Sequence, residues 1–268
     1  MYINSNFIPL ELYNKFIGNN PKFKDKSISI FNDYTPSFEE LQINPYNILV
    51  IQEPNQLFNL HNWAINNHQY FSCILTWGQE ILNKCENAML LPFGTTYLHS
   101  KNIYKTLAFK EKKFELSFLC GKKQLIDGHF FRHKIYNKQQ EIISIPLKWY
   151  YTYDGPKDVC FETSMFHVAI ENSQNKNYFT EKIVDAFITK TIPIYRGCSN
   201  IEDFFDQRGF FTFNTEEEFF SIINSLTEED YHLRKEYIEK NYELGIYYAE
   251  YFNRLSGLLN EIINLNNI

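Results

Sequence analysis

The run from Met165 to Gly197 constrains the fold more than any other part of the chain. Met165–Glu171 (MFHVAIE) is apolar and strand-like, Asn172–Phe179 (NSQNKNYF) is polar, and Thr180–Lys190 (TEKIVDAFITK) has helical spacing. Thr180 is a good N-cap and Glu181 an acid for the first turn, so a helix starts there. Ile192–Tyr195 (IPIY) returns as a strand that ends at Gly197. Strand, loop, helix and strand of this length make a parallel crossover, which calls for a parallel sheet covered by helices.

The same alternation runs through the first part of the chain. Ser27–Phe31, Asn47–Ile51, Tyr70–Thr76 and Ala88–Leu91 read as short strands. Between Pro54 and Asn67, Leu57, Leu60, Trp63 and Ala64 fall at helical spacing. Lys101 to Lys113 carries five lysines against Glu111 and reads as an interdomain linker. A second α/β unit then starts at Phe114–Cys120. Glu216, Glu217 and Glu218 suit a helix N-terminus, and Tyr231 to Ile268 reads as one or two amphipathic helices. The expected division is residues 1–105 and 106–268, each long enough to bury its own core. Aromatic residues form 18% of the chain, so rings can build much of both cores.

Charge and cysteine usage exclude several classes. A net charge of −6 argues against a general nucleic-acid binder, which needs a basic surface. Cys73, Cys85, Cys120, Cys160 and Cys198 are scattered, with no Cys-x-x-Cys pair, and read as free thiols in a reducing compartment. The opening MYINSNFIPLELYNKFIG has no basic start followed by an apolar run, and no stretch approaches the roughly 20 apolar residues of a membrane helix. A soluble, cytoplasmic protein is expected, in the host cytoplasm if the source is viral. No Gly-x-Gly-x-x-Gly or Walker sequence occurs, which disfavours dehydrogenases and P-loop kinases.

In an open α/β sheet, ligands bind outside the carboxyl ends of the strands, near helix N-termini. Glu171, Asn172, Tyr178, Thr180, Glu181 and Lys182 occupy that place in the crossover. Free N–H groups, the positive end of the helix dipole and the Lys182 ammonium together suit a diphosphate without a glycine-rich loop. Glu181 can accept hydrogen bonds from a ribose diol. Taken without its context, the same spacing also fits an ordinary capped surface helix.

The context is more specific. Phe166, Ile170-Glu171-Asn172-Ser173, Tyr178-Phe179-Thr180-Glu181-Lys182, Ala186 and Ile192-Pro193-Ile194-Tyr195-Arg196-Gly197 resemble, in order and spacing, the donor-binding signature of the α-1,3-fucosyltransferases, glycosyltransferase family 10. The resemblance implies a GT-B fold, with two facing Rossmann-like domains, the active site in the cleft between them and a GDP-sugar donor in the C-terminal one. It implies Lys182 on the diphosphate and Glu181 on the ribose. It also implies a second cation on the diphosphate, an Arg early in the C-terminal domain, for which Arg132 is the candidate and Lys122 and Lys123 are the competitors. The implied catalytic base is a Glu at a strand end followed by Pro, which Glu53 in NILVIQEPNQLF matches. A helix-capping acid before Pro54 is the other reading of Glu53. Glu80 and Glu86 fall inside a helix or turn, and His61 and His68 read as polar surface.

The resemblance therefore implies an inverting transfer of fucose from GDP-fucose to a hydroxyl of a glycan acceptor. No Asp-x-Asp is present, so the metal-chelating device of GT-A transferases is missing and no metal cofactor is expected. Glu202-Asp203 with Asp206, the nearest acidic cluster, reads as a solvated helix face. Donor-binding candidates are Arg132, Glu171, Asn172, Tyr178, Thr180, Glu181 and Lys182; the catalytic candidate is Glu53. The same fold serves other nucleotide-sugar donors, and a protein that binds a glycan or nucleotide without turnover can carry the same motif.

Overall fold

The computed structural model describes residues 1–6, 8–98, 101–153 and 155–266, which form two compact units. The first contains β1 (Tyr2–Ser5), β2 (Ile28–Asn32), β3 (Tyr46–Ile51), β4 (Cys73–Thr76) and β5 (Ala88–Leu90). They pair in simple chain order, β1-β2-β3-β4-β5, all parallel. The continuously apolar NILVI is explained by its place: Ile48, Leu49 and Val50 are fully buried in β3, as expected of a central parallel strand. The helical pattern after Pro54 is interrupted. Asn59 takes a left-handed φ of 50° and splits it into Asn55–Phe58 and Leu60–Asn67, leaving Leu57 partly exposed.

The second unit contains β6 (Lys113–Cys120), β7 (Leu147–Tyr151), β8 (Ser164–Ile170), β9 (Ile192–Arg196) and β10 (Phe211–Thr212). Its order is β10-β9-β8-β6-β7, again all parallel. The chain leaves β6 towards one edge and, from β8 onward, builds towards the other. β6 and β8 therefore flank a topological switch point, where an open sheet has a crevice at its carboxyl edge. Sheet one shows no such reversal.

Unit boundaries differ from the expected 105/106 division. The first unit is Met1–Phe93 with Tyr251–Ile268, and the second is Gly94–Glu250. The lysine-rich stretch is not a linker, because it forms the helix Lys101–Ala108 and buries Tyr104 and Leu107 in one core with Ile183 and Phe187. Lys105 lies on its exposed side. The last helix, Tyr251–Asn266, joins the first unit: Phe252 meets Tyr13 edge-on at 5.4 Å, Leu255 and Leu259 are buried, and Arg254 donates to the Pro92 carbonyl at 2.7 Å.

The crossover helix spans Glu181–Ile188, capped by Thr180, whose hydroxyl accepts from the Lys182 N–H. Ile183, Val184, Phe187 and Ile188 are buried, each such side chain contributing about 1.5–3 kcal/mol. That packing fixes where its polar first turn points. Among the described residues no helix is long and apolar enough to cross a membrane, and all five cysteines are buried and unpaired with one another.

Candidate donor site

A pocket of about 340 Å³ opens at the carboxyl ends of β6 and β8. Gly121, Lys122 and Lys123 follow β6, Asn172 follows β8, and Glu181 and Lys182 come from the crossover helix. Arg132 enters from the helix Asp127–Asn137, where its buried guanidinium donates from Nη1 to the Ile170 carbonyl at 2.5 Å and from Nη2 to Asn172 Oδ1 at 3.0 Å. A carbonyl and an amide oxygen orient the planar cation without neutralising it, so its charge stays available to the pocket.

That helix reaches the strand end because residue 128 is glycine. Its N–H bonds the Asn172 carbonyl at 3.1 Å, and a Cβ there would collide with the Glu171 carbonyl oxygen. Backbone thus lies on backbone, and Arg132 follows one turn later.

Lys182 keeps about a quarter of its side chain exposed, at 23%. Its Nζ lies 3.0 Å from Glu181 Oε1, 3.1 Å from Thr180 Oγ1 and 3.7 Å from Glu171 Oε2. Burial works against the charge, but Glu181 and Glu171 outweigh it and hold the ammonium above the usual lysine range. Burial likewise opposes ionisation of Glu181, yet Lys182 and Lys157 hold its carboxyl below the usual carboxylate range. Glu171, fully buried, is pushed up by desolvation against the pull of Lys182.

The structure divides the candidates from the sequence into two groups. Arg132, Asn172, Glu181 and Lys182 line the pocket, as do Lys122 and Lys123. Glu171, Tyr178 and Thr180 do not; they are 0%, 1% and 2% exposed and lie behind the wall. Glu171 accepts from the Thr180 N–H and hydroxyl, which ties the end of β8 to the helix start. These three are better described as supports than as contacts. In the first unit Glu53 follows β3, buried at 7%, with its N–H donated to Asp33 Oδ1 at 3.2 Å. Pro54 precedes the helix Asn55–Phe58 as its N-cap, so Glu53 is not the cap itself. His61 is buried against the edge of Trp77 rather than on the surface. Asp206 is no solvated member of an acidic face either, since Arg208 and Lys240 both pair with it.

The sequence reading missed Tyr97, His129, Lys157 and Asp185 in the pocket wall. Lys157 Nζ sits 3.7 Å from the centre of the Tyr97 ring, a cation–π contact. Asp185 accepts from Thr96 Oγ1 at 2.5 Å and from the Tyr97 N–H at 3.3 Å, and burial pushes its carboxyl up to about 8. One signal was available: Asp185 is the one polar residue after Lys182 in the helix Glu181–Ile188, and it lies four residues after Glu181 and so on the same face.

Fold and site together define an α/β protein of GT-B-like fold, with two parallel, Rossmann-like sheet units and a cationic pocket at the switch point of the second sheet. Residues 131–250 match the glycosyltransferase family 10 (fucosyltransferase) C-terminal domain. Over 92 residues the chain is 30% identical to the α-(1,3)-fucosyltransferase FucT of Helicobacter pylori, which covers 34% of this chain and 18% of that relative. The resemblance seen in the motif therefore extends well beyond it. Among solved structures, an α1,3-fucosyltransferase crystallised with GDP-fucose has a TM-score of 0.58 at 17% identity, covering 98% of this chain and 89% of that one. A glycosyltransferase from Rickettsia africae gives 0.56 at 10% identity, covering 97% and 84%.

Proposed function

We propose that this chain transfers fucose from GDP-fucose to a hydroxyl of a glycan acceptor, with inversion at the anomeric carbon. One observation carries the reading: Arg132 and Lys182, fifty positions apart in sequence, converge with a helix N-terminus on one pocket at the sheet's switch point. Two cations and free N–H groups suit a diphosphate whose negative charge grows as the sugar leaves. Glu181, kept ionised, suits the ribose hydroxyls. Matched relatives whose names include α-1,3-fucosyltransferase, one of them crystallised with GDP-fucose, support the choice of donor.

In the proposed step Glu53 takes the proton of the acceptor hydroxyl as that oxygen bonds the anomeric carbon. The bond from that carbon to the β-phosphate oxygen breaks, and its electron pair leaves with GDP, held by Arg132 and Lys182. No metal is needed for this charge balance. Five reduced cysteines fit a reducing compartment, and the proposal assigns the reaction to the cytoplasm.

Release of GDP from GDP-fucose, with and without a glycan acceptor and in the presence of EDTA, tests the proposal. Lys182→Ala should lower kcat/KM by about ten- to a hundredfold, the loss of one charge-assisted contact of about 1.5–3 kcal/mol. Glu53→Gln should abolish transfer while GDP still binds. Turnover with UDP-sugars in place of GDP-fucose would overturn the donor assignment.

A further inference from the structure

His129 stands on the pocket wall, three residues before Arg132 and on the same helix face. It is 6% exposed. Its Nδ1 accepts from the Leu125 N–H at 3.2 Å, closing the helix start where Ile126, the N-cap, has no side chain for the task. That bond fixes the tautomer, since the neutral ring must carry its proton on Nε2. Among the described residues no group bonds Nε2. Capping accounts for Nδ1 and leaves the second nitrogen, on a pocket wall, without a task.

Burial first, and then the charges of Arg132, Lys123, Lys182 and His133, push the His129 imidazole down to about 4. It is therefore a neutral N–H donor while the pocket holds no anion. A bound diphosphate brings two to three negative charges among these cations, and such charges favour the imidazolium.

We infer that His129 is a further donor-binding residue, whose Nε2–H bonds an oxygen of the nucleoside diphosphate and whose ring takes up a proton as that anion binds. This rests on the diphosphate reading of the pocket. It adds to that reading a contact that the motif does not contain and a coupling between donor binding and protonation. The sign follows from linkage: the complex holds more protons than the empty protein, so His129 makes affinity rise as pH falls through the window above about 4.

Calorimetric titration of the full chain with GDP, between about pH 5 and 7 in buffers of different ionisation enthalpy, counts the protons taken up. Wild type should take up more protons per GDP than His129→Gln, with the gap widening towards the acid end. The phosphate's own titration is common to both and cancels. His129→Ala should weaken GDP binding about tenfold, the loss of a hydrogen bond to a charged group. His129→Gln, whose amide N–H can reach the same oxygen, should recover most of that loss without the proton uptake. Equal proton counts in wild type and His129→Gln would overturn the inference, and this comparison stands even if His129→Ala fails to fold. If Lys182→Ala weakens GDP binding while His129→Ala does not, the inference alone fails. If the wild-type chain does not bind GDP, the donor reading fails first.

Discussion

Glu171 holds Thr180 with both carboxylate oxygens: Oε1 accepts from the Thr180 N–H at 2.8 Å and Oε2 from its hydroxyl at 2.7 Å. The residue that follows β8 is thereby fastened to the cap of the crossover helix, nine positions further on. Glu171→Ala would strand both donors in the interior, each at about 1–3 kcal/mol, and would take from Lys182 one of its two carboxylate neighbours, leaving Glu181. The melting temperature should fall by about 5–10 °C, with GDP affinity falling alongside. A thermal melt with and without GDP reads both.

Arg132 makes two divergent hydrogen bonds, to Ile170 O and Asn172 Oδ1. An ammonium is a point charge on a flexible stem and cannot span both while presenting a planar face to phosphate. Arg132→Lys should therefore weaken GDP binding by about tenfold although the charge is kept. Titration with GDP checks it, and unchanged affinity would mean that the guanidinium only braces the strand end.

Two glycines should respond in opposite directions to alanine. At Gly128 a Cβ would meet the Glu171 carbonyl and sits 2.8 Å from Asn172 Cα, so the helix carrying His129 and Arg132 must shift. Gly128→Ala should destabilise the second unit and weaken GDP binding together. Gly257, in the last helix, has nothing within 4 Å of its Cβ position. There alanine should stabilise by about 0.5–1 kcal/mol, with donor affinity unchanged. Chemical denaturation of the two variants makes the comparison.

What was legible in the sequence was local. β8, the Thr180 cap, the crossover helix and β9 each announce themselves through an apolar run, a capping residue or a helical period. β1, β7 and β10 do not, being short or half-buried edge elements: Tyr2–Ser5 has four residues, Phe211–Thr212 two, and Leu147–Tyr151 is never fully buried. The return of Tyr251–Asn266 to the first unit has no local signature either, because it is decided by contacts with residues such as Tyr13. Site residues divide in the same way. Glu181 and Lys182 follow from helix-end physics, whereas Arg132 lies in mid-helix and was found only through the resemblance. Asp185 and His129 acquire their chemistry from Thr96 and from three pocket cations that only the fold brings near.

Asp33 bears on the proposed role of Glu53. It follows β2 with a left-handed φ of 45°, and its Oδ1 accepts from the N–H groups of both Gln52 and Glu53, at 2.9 and 3.2 Å. Trp77 Nε1 holds the Gln52 carbonyl from the other side at 2.6 Å. Asp33→Gly keeps the backbone conformation without strain but removes the acceptor. With Glu53 as base, kcat for transfer should fall at least about tenfold while GDP affinity stays at the wild-type value. Asp33→Asn, which retains an acceptor oxygen and tolerates the left-handed region, should recover most of the rate. Kinetics of the three proteins decide it; equal losses in both variants would show that the carboxylate charge, not the acceptor, is what Glu53 needs.

Asp185 should make the stability of the second unit depend on pH. Burial, assisted by Glu181 and only partly opposed by hydrogen bonds from Thr96 and Tyr97 and by Lys157, raises its carboxyl to about 8. In the unfolded chain the same group loses its proton near pH 4. Between these values the folded protein binds one more proton than the unfolded one, so this group's contribution falls as pH rises from about 4 to 8 and is level above that. Asn at this position can accept from the Tyr97 N–H as Asp185 does, and its amide N–H can donate to Thr96 Oγ1, the hydroxyl that donates to Asp185 in the structure. Asp185→Asn should therefore melt close to wild type near pH 4 and progressively above it towards pH 8, by a margin on the order of several degrees. Taking the difference between two melting curves removes every other titrating group, so parallel curves from pH 5 to 9 would mean that Asp185 is ionised in the folded protein.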